Sequence, residues 1–179
     1  SALAKSYGGV PYYDETVDPT DMALYKDRDS YLYIAQKILE DFQNALENVR
    51  VDDTKRQVNR YVVGAYMSRE LLYHATWLKY HGSTVGPDAE KIADEDIKAL
   101  LQGAINGANA VIGSNKYSIG NTYNALFTTD DLADNKEVIW YREYTSGLQG
   151  NALMSYNGPE DQTQGGVTQN VVDSYLCSD

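Results

Sequence analysis

The stretch Tyr31-Leu32-Tyr33-Ile34-Ala35-Gln36-Lys37-Ile38-Leu39-Glu40-Asp41-Phe42-Gln43-Asn44-Ala45-Leu46-Glu47-Asn48-Val49 decides the fold class. Tyr31, Ile34, Ala35, Ile38, Leu39, Phe42, Ala45, Leu46 and Val49 recur at steps of three and four. A helix of 3.6 residues per turn puts such a set on one side. Lys37, Glu40, Asp41, Gln43, Asn44 and Glu47 fall on the other side and are expected to face water. Asp27 or Asp29 is expected to cap the helix, because a carboxylate ahead of the first turn accepts from unpaired backbone N–H groups.

Working outward, the polar run Asp52-Asp53-Thr54-Lys55 separates this helix from a second one, expected over residues 59–80. The second pattern is apolar on two faces. Val62, Ala65, Leu72 and Thr76 make one, and Val63, Tyr66, Tyr73, Trp77 and Tyr80 make the other. Such a helix is expected to be sandwiched between neighbours, with Ala65 small enough for close approach and Trp77 inside the packing. Residues 82–88, with Gly86-Pro87, break the chain. A third helix is expected from Asp94, since Asp94, Glu95 and Asp96 suit its positive end. Ile97, Leu100, Leu101, Ala104, Ile105, Ala108, Val111 and Ile112 form its apolar face, and Gly113 stands where a C-terminal capping glycine belongs.

A short helix is expected over residues 123–127. Glu137-Val138-Ile139-Trp140-Tyr141 reads as a short strand or extended segment with Trp140 in the core. Residues 145–166 hold many Gly, Ser, Asn and Gln together with Pro159, and are expected to form a long irregular loop. Thr168 is expected to cap a last helix running to residue 175. Upstream, Gly8-Gly9, Pro11 and Pro19 oppose helix, so residues 1–27 read as an extended lead-in. The expected fold is mainly α, one helical domain over residues 1–179, with long irregular loops and little strand. The first two helices with their short joint resemble one tetratricopeptide-type pair, longer than the ~34-residue unit.

Composition narrows the function. The net charge is −11, which repels phosphate backbones, and no basic patch offsets it. Nucleic acid is therefore not expected as a partner. No run of about 18 apolar residues exists, so no membrane span is expected. The single Cys177 leaves no intrachain disulfide. Tyrosine is enriched, 16 against 2 Phe and 2 Trp, and its apolar ring with a hydroxyl suits half-wet surfaces as well as packed seams.

No spacing carries a catalytic or metal signature. His74 and His81 lie two helical turns apart, about 10 Å along the axis, too far for one metal ion with bonds near 2 Å. They read as surface or seam histidines, and no cofactor is expected. The acidic pairs Asp52/Asp53, Asp130/Asp131 and Glu160/Asp161 are adjacent loop residues. A glycoside hydrolase instead needs two carboxylates facing each other roughly 5–9.5 Å apart. Tyr156-Asn157, flanked by Gln162 and Gln164, combines a flat ring with amide donors and acceptors. That set suits a pyranose, whose C–H face stacks on aromatics and whose hydroxyls bond to amides. The plain alternative for this loop is a solvated linker.

Five phrases in fixed order carry a family resemblance: Gly8-Gly9-Val10-Pro11-Tyr12-Tyr13-Asp14, Arg28-Asp29-Ser30-Tyr31, Ser114-Asn115-Lys116-Tyr117-Ser118-Ile119, Asn135-Lys136-Glu137-Val138-Ile139-Trp140, and Val167-Thr168-Gln169-Asn170-Val171-Val172-Asp173-Ser174-Tyr175. The ordered set resembles the SusD-like (SusD/RagB) family of outer-membrane glycan-binding lipoproteins, and the chain looks like the central part of a longer member. Two places depart from the family's pattern. Gly166-Val167-Thr168-Gln169 lacks the proline of an Asn-Pro-Thr-Gln start, and Gln57-Val58-Asn59-Arg60 replaces a Gly-Arg-type start.

The resemblance implies a scaffold of tetratricopeptide-like pairs, the α/α superhelix of that family. It implies non-catalytic capture of oligosaccharide on the outer face of the outer membrane, by a parent protein carrying a lipid anchor. It also implies delivery to a SusC-like TonB-dependent transporter as partner. In this chain it points to Tyr144, Tyr156 and Asn157 as ligand-binding residues, and to the Gly8–Tyr13 phrase as architectural, with Tyr12 as its anchor. The alternative reading is a tetratricopeptide-like protein-interaction scaffold without glycan binding.

Overall fold

The structure, a computed structural model, describes residues 1–52, 54–82, 92–120, 123–129, 131–144 and 168–176. Its chain divides into two compact units, Ser1–Tyr141 and Arg142–Asp179. The first holds helices α1 (Ala2–Tyr7), α2 (Tyr31–Asn48), α3 (Arg60–His81), α4 (Asp94–Ile112) and α5 (Tyr123–Thr128), with a 3₁₀ turn at Met22–Tyr25. The second holds α6 (Gln169–Leu176). The protein is mainly helical, and no strand occurs among the described residues.

The helix starts show local chemistry at work. Ser30, rather than Asp27 or Asp29, caps α2: its side chain accepts from Tyr33 N at 3.0 Å. Asp29 is engaged elsewhere, accepting from Tyr12 N at 2.7 Å and pairing with Lys26 at 2.8 Å. Asn59, fully buried, caps α3 by accepting from Tyr61 N at 3.0 Å and Val62 N at 3.1 Å. Its amide also donates to Thr54 O at 3.3 Å, so each end of the side chain is used. At the end of α4, Gly113 stays right-handed (φ −65, ψ −14), and Asn115 takes the left-handed turn at φ 53. Gly113 thus stands at the cap as expected, its N–H donating to Asn109 O, while the left-handed turn falls to asparagine, which tolerates that region better than most residues.

Helices α2, α3 and α4 pack against one another. Tyr31 meets His74 while the carbonyl of Arg50 meets Arg60 N, so α2 and α3 run antiparallel. Gly64 meets Gly107 while Leu71 meets Gly103, so α4 runs antiparallel to α3. The core comprises Tyr31, Ile34, Ala35 and Ile38 of α2, Met67, Leu71, Ala75 and Leu78 of α3, and Leu100 and Ala104 of α4. Met67, Leu71, Leu78 and Leu100 are almost completely buried, worth roughly 1.5–3 kcal/mol each in transfer free energy.

The buried face of α2 matches its sequence pattern, whereas those of α3 and α4 match it only in part. Helix α3 packs between α2 and α4, as expected, and buries Val62 and Val63, but Leu72 and Tyr80 of the expected faces are exposed, as are Tyr66 and Trp77 in part. On α4, Ile105 and Ile112 are exposed. The close approach runs through Gly64 and Gly107 rather than Ala65. A Cβ on Gly107 would stand 2.6 Å from the carbonyl oxygen of Gly64.

The lead-in is not wholly extended, because α1 forms ahead of Gly8. Ala4 of α1 is buried against the core. The Gly9–Tyr12 segment then lies along the start of α2. Asp29 N donates to Val10 O at 3.3 Å, and Arg28 Nε donates to Gly9 O at 2.7 Å. Tyr12 packs edge-on against Tyr33, ring centroids 6.0 Å apart. A Cβ on Gly9 would sit 2.1 Å from Asp29 O, so only glycine fits there. Tyr12 thus anchors the segment to α2, as an architectural role requires.

In the second unit, Thr168 O accepts from Val171 N and Val172 N at the start of α6, and no residue of that helix is buried.

Candidate functional site

One wall of the candidate site comes from α3, where Val62, Ala65, Tyr66 and Arg69 recur at helical spacing. The other wall is the segment Glu137-Val138-Ile139-Trp140, and together they line a groove of about 460 Å³. This segment is held by bonds from its flanks. Tyr141 N donates to Lys55 O at 3.0 Å, and Lys55 Nζ to Asn135 O at 2.7 Å. Arg56 Nε donates to Tyr141 Oη at 3.2 Å. Asn135 Oδ1 accepts from Glu137 N at 3.0 Å, and Glu137 Oε1 accepts from Gly120 N at 2.6 Å. These anchors make it irregular rather than a strand and turn Trp140 outward.

Trp140 is 45% exposed, which corrects its expected place in the core, and Tyr66 is 39% exposed. Their rings meet edge to face with centroids 6.2 Å apart. The guanidinium carbon of Arg69 lies 4.8 Å from the Tyr66 ring centroid, and the Arg69 side chain is 70% exposed. The groove therefore combines two half-wet aromatic rings, a cation, one carboxylate (Glu137) and backbone groups. A two-carboxylate glycosidase mechanism would need a second acid facing Glu137.

Of the residues anticipated for ligand binding, Tyr144 lies in the second unit, exposed, with the Arg142 guanidinium 5.5 Å from its ring centroid. Tyr156 and Asn157 lie outside the described residues, as do the rest of 145–166 and Cys177. Tyr66, Arg69, Glu137 and Trp140 escaped sequence reasoning as a site. The available signal was Tyr and Trp at positions that a pattern of apolar residues alone would fill with aliphatics.

A second polar cluster sits where α1 meets α3. Glu70, 7% exposed, accepts from Lys5 Nζ at 2.8 Å and from Ser1 Oγ. His74, fully buried, has Nε2 3.1 Å from Ser1 Oγ and Nδ1 2.7 Å from Tyr31 Oη. Burial, then the Lys5 charge, push the His74 pKa down to about 4, against a smaller opposing effect of Glu70. His74 is thus a satisfied seam histidine, neutral at pH 7. His81 is exposed and stacks on Trp77, ring centroids 4.1 Å apart. Among the described residues no group of three His, Cys, Asp or Glu is placed to hold a metal, and no helix is long and apolar enough to cross a membrane.

No family model, curated protein or solved structure matches this chain.

Proposed function

We propose that the chain is the helical part of a SusD-like surface protein that captures oligosaccharide or polysaccharide without catalysis and passes it to a TonB-dependent outer-membrane transporter. On this reading the helices correspond to tetratricopeptide-like pairs, and the parent protein is lipid-anchored on the outer face of the outer membrane. The supporting observation is the groove between α3 and Glu137–Trp140, where Tyr66 and Trp140 stay half exposed beside polar groups. Aromatic rings that fold without being fully buried suit the apolar face of a sugar, while the flanking charges suit its hydroxyls. The ordered phrases of the sequence motivate the family reading, and the groove supports a ligand contact that would not depend on residues 145–166.

The test is affinity electrophoresis of the chain through gels containing soluble polysaccharides, with Trp140→Ala and Tyr66→Ala alongside. Retardation of the wild type that both variants lose supports the reading. Absence of retardation by every polysaccharide sinks it. A second reading, a helical protein-interaction scaffold, is favoured by Ile105 and Ile112, seven residues apart on α4 and both more than half exposed. It predicts that Ile105→Asp removes a partner while leaving polysaccharide retardation unchanged.

A further inference from the structure

We propose that the groove takes an acidic glycan, one bearing sugar carboxylates such as a uronic acid polymer, and that Arg69 reads the carboxylate. This rests on the glycan reading above. The first observation is that the fold holds Arg69 only loosely. Its neighbour Glu70 is already neutralised by Lys5, at 2.7 Å. Arg69 Nε stands 3.5 Å from the same carboxylate, beyond the 2.7–2.9 Å usual for a charge-assisted bond. No hydrogen bond ties the guanidinium down among the described residues, and the side chain is 70% exposed.

The second observation is that the guanidinium is nonetheless placed. It lies over the Tyr66 ring at 4.8 Å, in the lining of the groove that Trp140 faces. A guanidinium held near an aromatic ring keeps N–H groups for a planar anion, which a carboxylate matches with two parallel bonds. A sugar ring against Trp140 and its carboxylate on Arg69 would use both features at once.

The chain carries a net charge of −11 and the groove itself contains Glu137, so the field of the whole protein opposes any polyanion, and a carboxylate here is held by its local bonds to Arg69.

The experiment compares polygalacturonate, alginate and hyaluronan with their carboxyl-reduced forms, in which each carboxylate is an alcohol, and includes a panel of neutral polysaccharides. Affinity electrophoresis is run on the wild type, Arg69→Gln and Arg69→Lys. The expected result is that at least one acidic polymer binds about tenfold or more tighter than its reduced form, that Arg69→Gln abolishes this preference, and that Arg69→Lys restores it only in part. Unchanged circular dichroism and melting of Arg69→Gln, expected for so exposed a residue, show that the loss is local. A wild type that binds the reduced polymers as well as the acidic ones overturns the proposal, as does a preference that survives Arg69→Gln. Binding to neutral polysaccharides alone overturns it too and leaves the glycan reading standing. Binding to nothing in the set removes both.

Discussion

The Oη of Tyr31 lies 2.7 Å from Nδ1 of His74, and both side chains are buried between α2 and α3. The direction of this bond follows from its neighbours. An ionised Glu70 only accepts, so Ser1 Oγ donates to it and must itself accept from His74 Nε2. That leaves Nδ1 bare, and Tyr31 donates to it. One neutral tautomer satisfies the whole chain of bonds, and a proton added to Nδ1 would break it.

Acid should therefore weaken the fold in a defined window. The folded His74 pKa of about 4 lies below its ordinary 6.5, so the unfolded chain binds more protons between these values. Stability is fully present above pH 6.5 and falls as pH drops toward 4, by on the order of 3 kcal/mol. Glu70 adds its loss later. Burial pushes its carboxyl up, but hydrogen bonds from Lys5 and Ser1 together with the Lys5 and Arg69 charges outweigh it and hold the carboxyl below its ordinary 4.5, so its stabilising share disappears only under more acid conditions. Urea unfolding at pH 7.0 and 4.5 checks this, with His74→Gln as the comparison. Equal pH dependence in the two proteins would sink the assignment.

A methyl group at position 107 should cost more than its helix propensity returns. The Cβ of Gly107→Ala would lie 2.6 Å from Gly64 O and 2.8 Å from Ser68 N, both backbone atoms that cannot swing aside. Alanine gains up to about 1 kcal/mol in a helix, but separating α3 from α4 loses packing along the whole seam. A net loss of about 1–3 kcal/mol is expected in thermal or urea melts. Gly120→Ala, where a Cβ meets nothing within 4 Å, serves as control and should stay within roughly 0.5 kcal/mol.

This seam explains what the sequence made legible. The face of α2 was readable because aliphatic side chains at helical spacing do its packing. The buried face of α3 instead contains Gly64, Glu70 and His74, which a hydrophobic pattern does not count, and is completed by residues far away in the chain. The expected faces of α3 therefore included the exposed Leu72 and Tyr80. The short α1 gave no signal, since six residues span fewer than two turns. Trp140 followed Val138 and Ile139 and read as core. Its outward turn depends on Lys55 and Gly120, contacts that no local pattern contains.

The Gly9–Tyr12 segment should open before the three-helix core does. Asp29 holds it by accepting from Tyr12 N and pairing with Lys26. Asp29→Ala removes a hydrogen bond to a charged group, worth about 1.5 kcal/mol or more, so cleavage by chymotrypsin at Tyr12 or Tyr13 should quicken by roughly tenfold. The melting of α2, α3 and α4 should change much less. Equal cleavage rates in the two proteins would show that Asp29 does not hold the segment. Gly9→Ala, with its Cβ against Asp29 O, should open the same segment.

The two tryptophans should report differently on a bound sugar. Trp77 is 38% exposed, but His81 stacks on it with centroids 4.1 Å apart and Tyr73 lies nearly parallel at 6.0 Å. Neighbouring rings thus already occupy the faces that a pyranose would need. Trp140 meets Tyr66 edge to face and lines the groove, which leaves it surface for a ligand. Titration with a polysaccharide that retards the chain should shift or quench tryptophan emission. The signal should vanish in Trp140→Phe and persist in Trp77→Phe. The opposite pattern would move the ligand away from the groove to the end of α3. The two variants decide this even if both still bind, because the fluorescence follows the ring that the sugar touches.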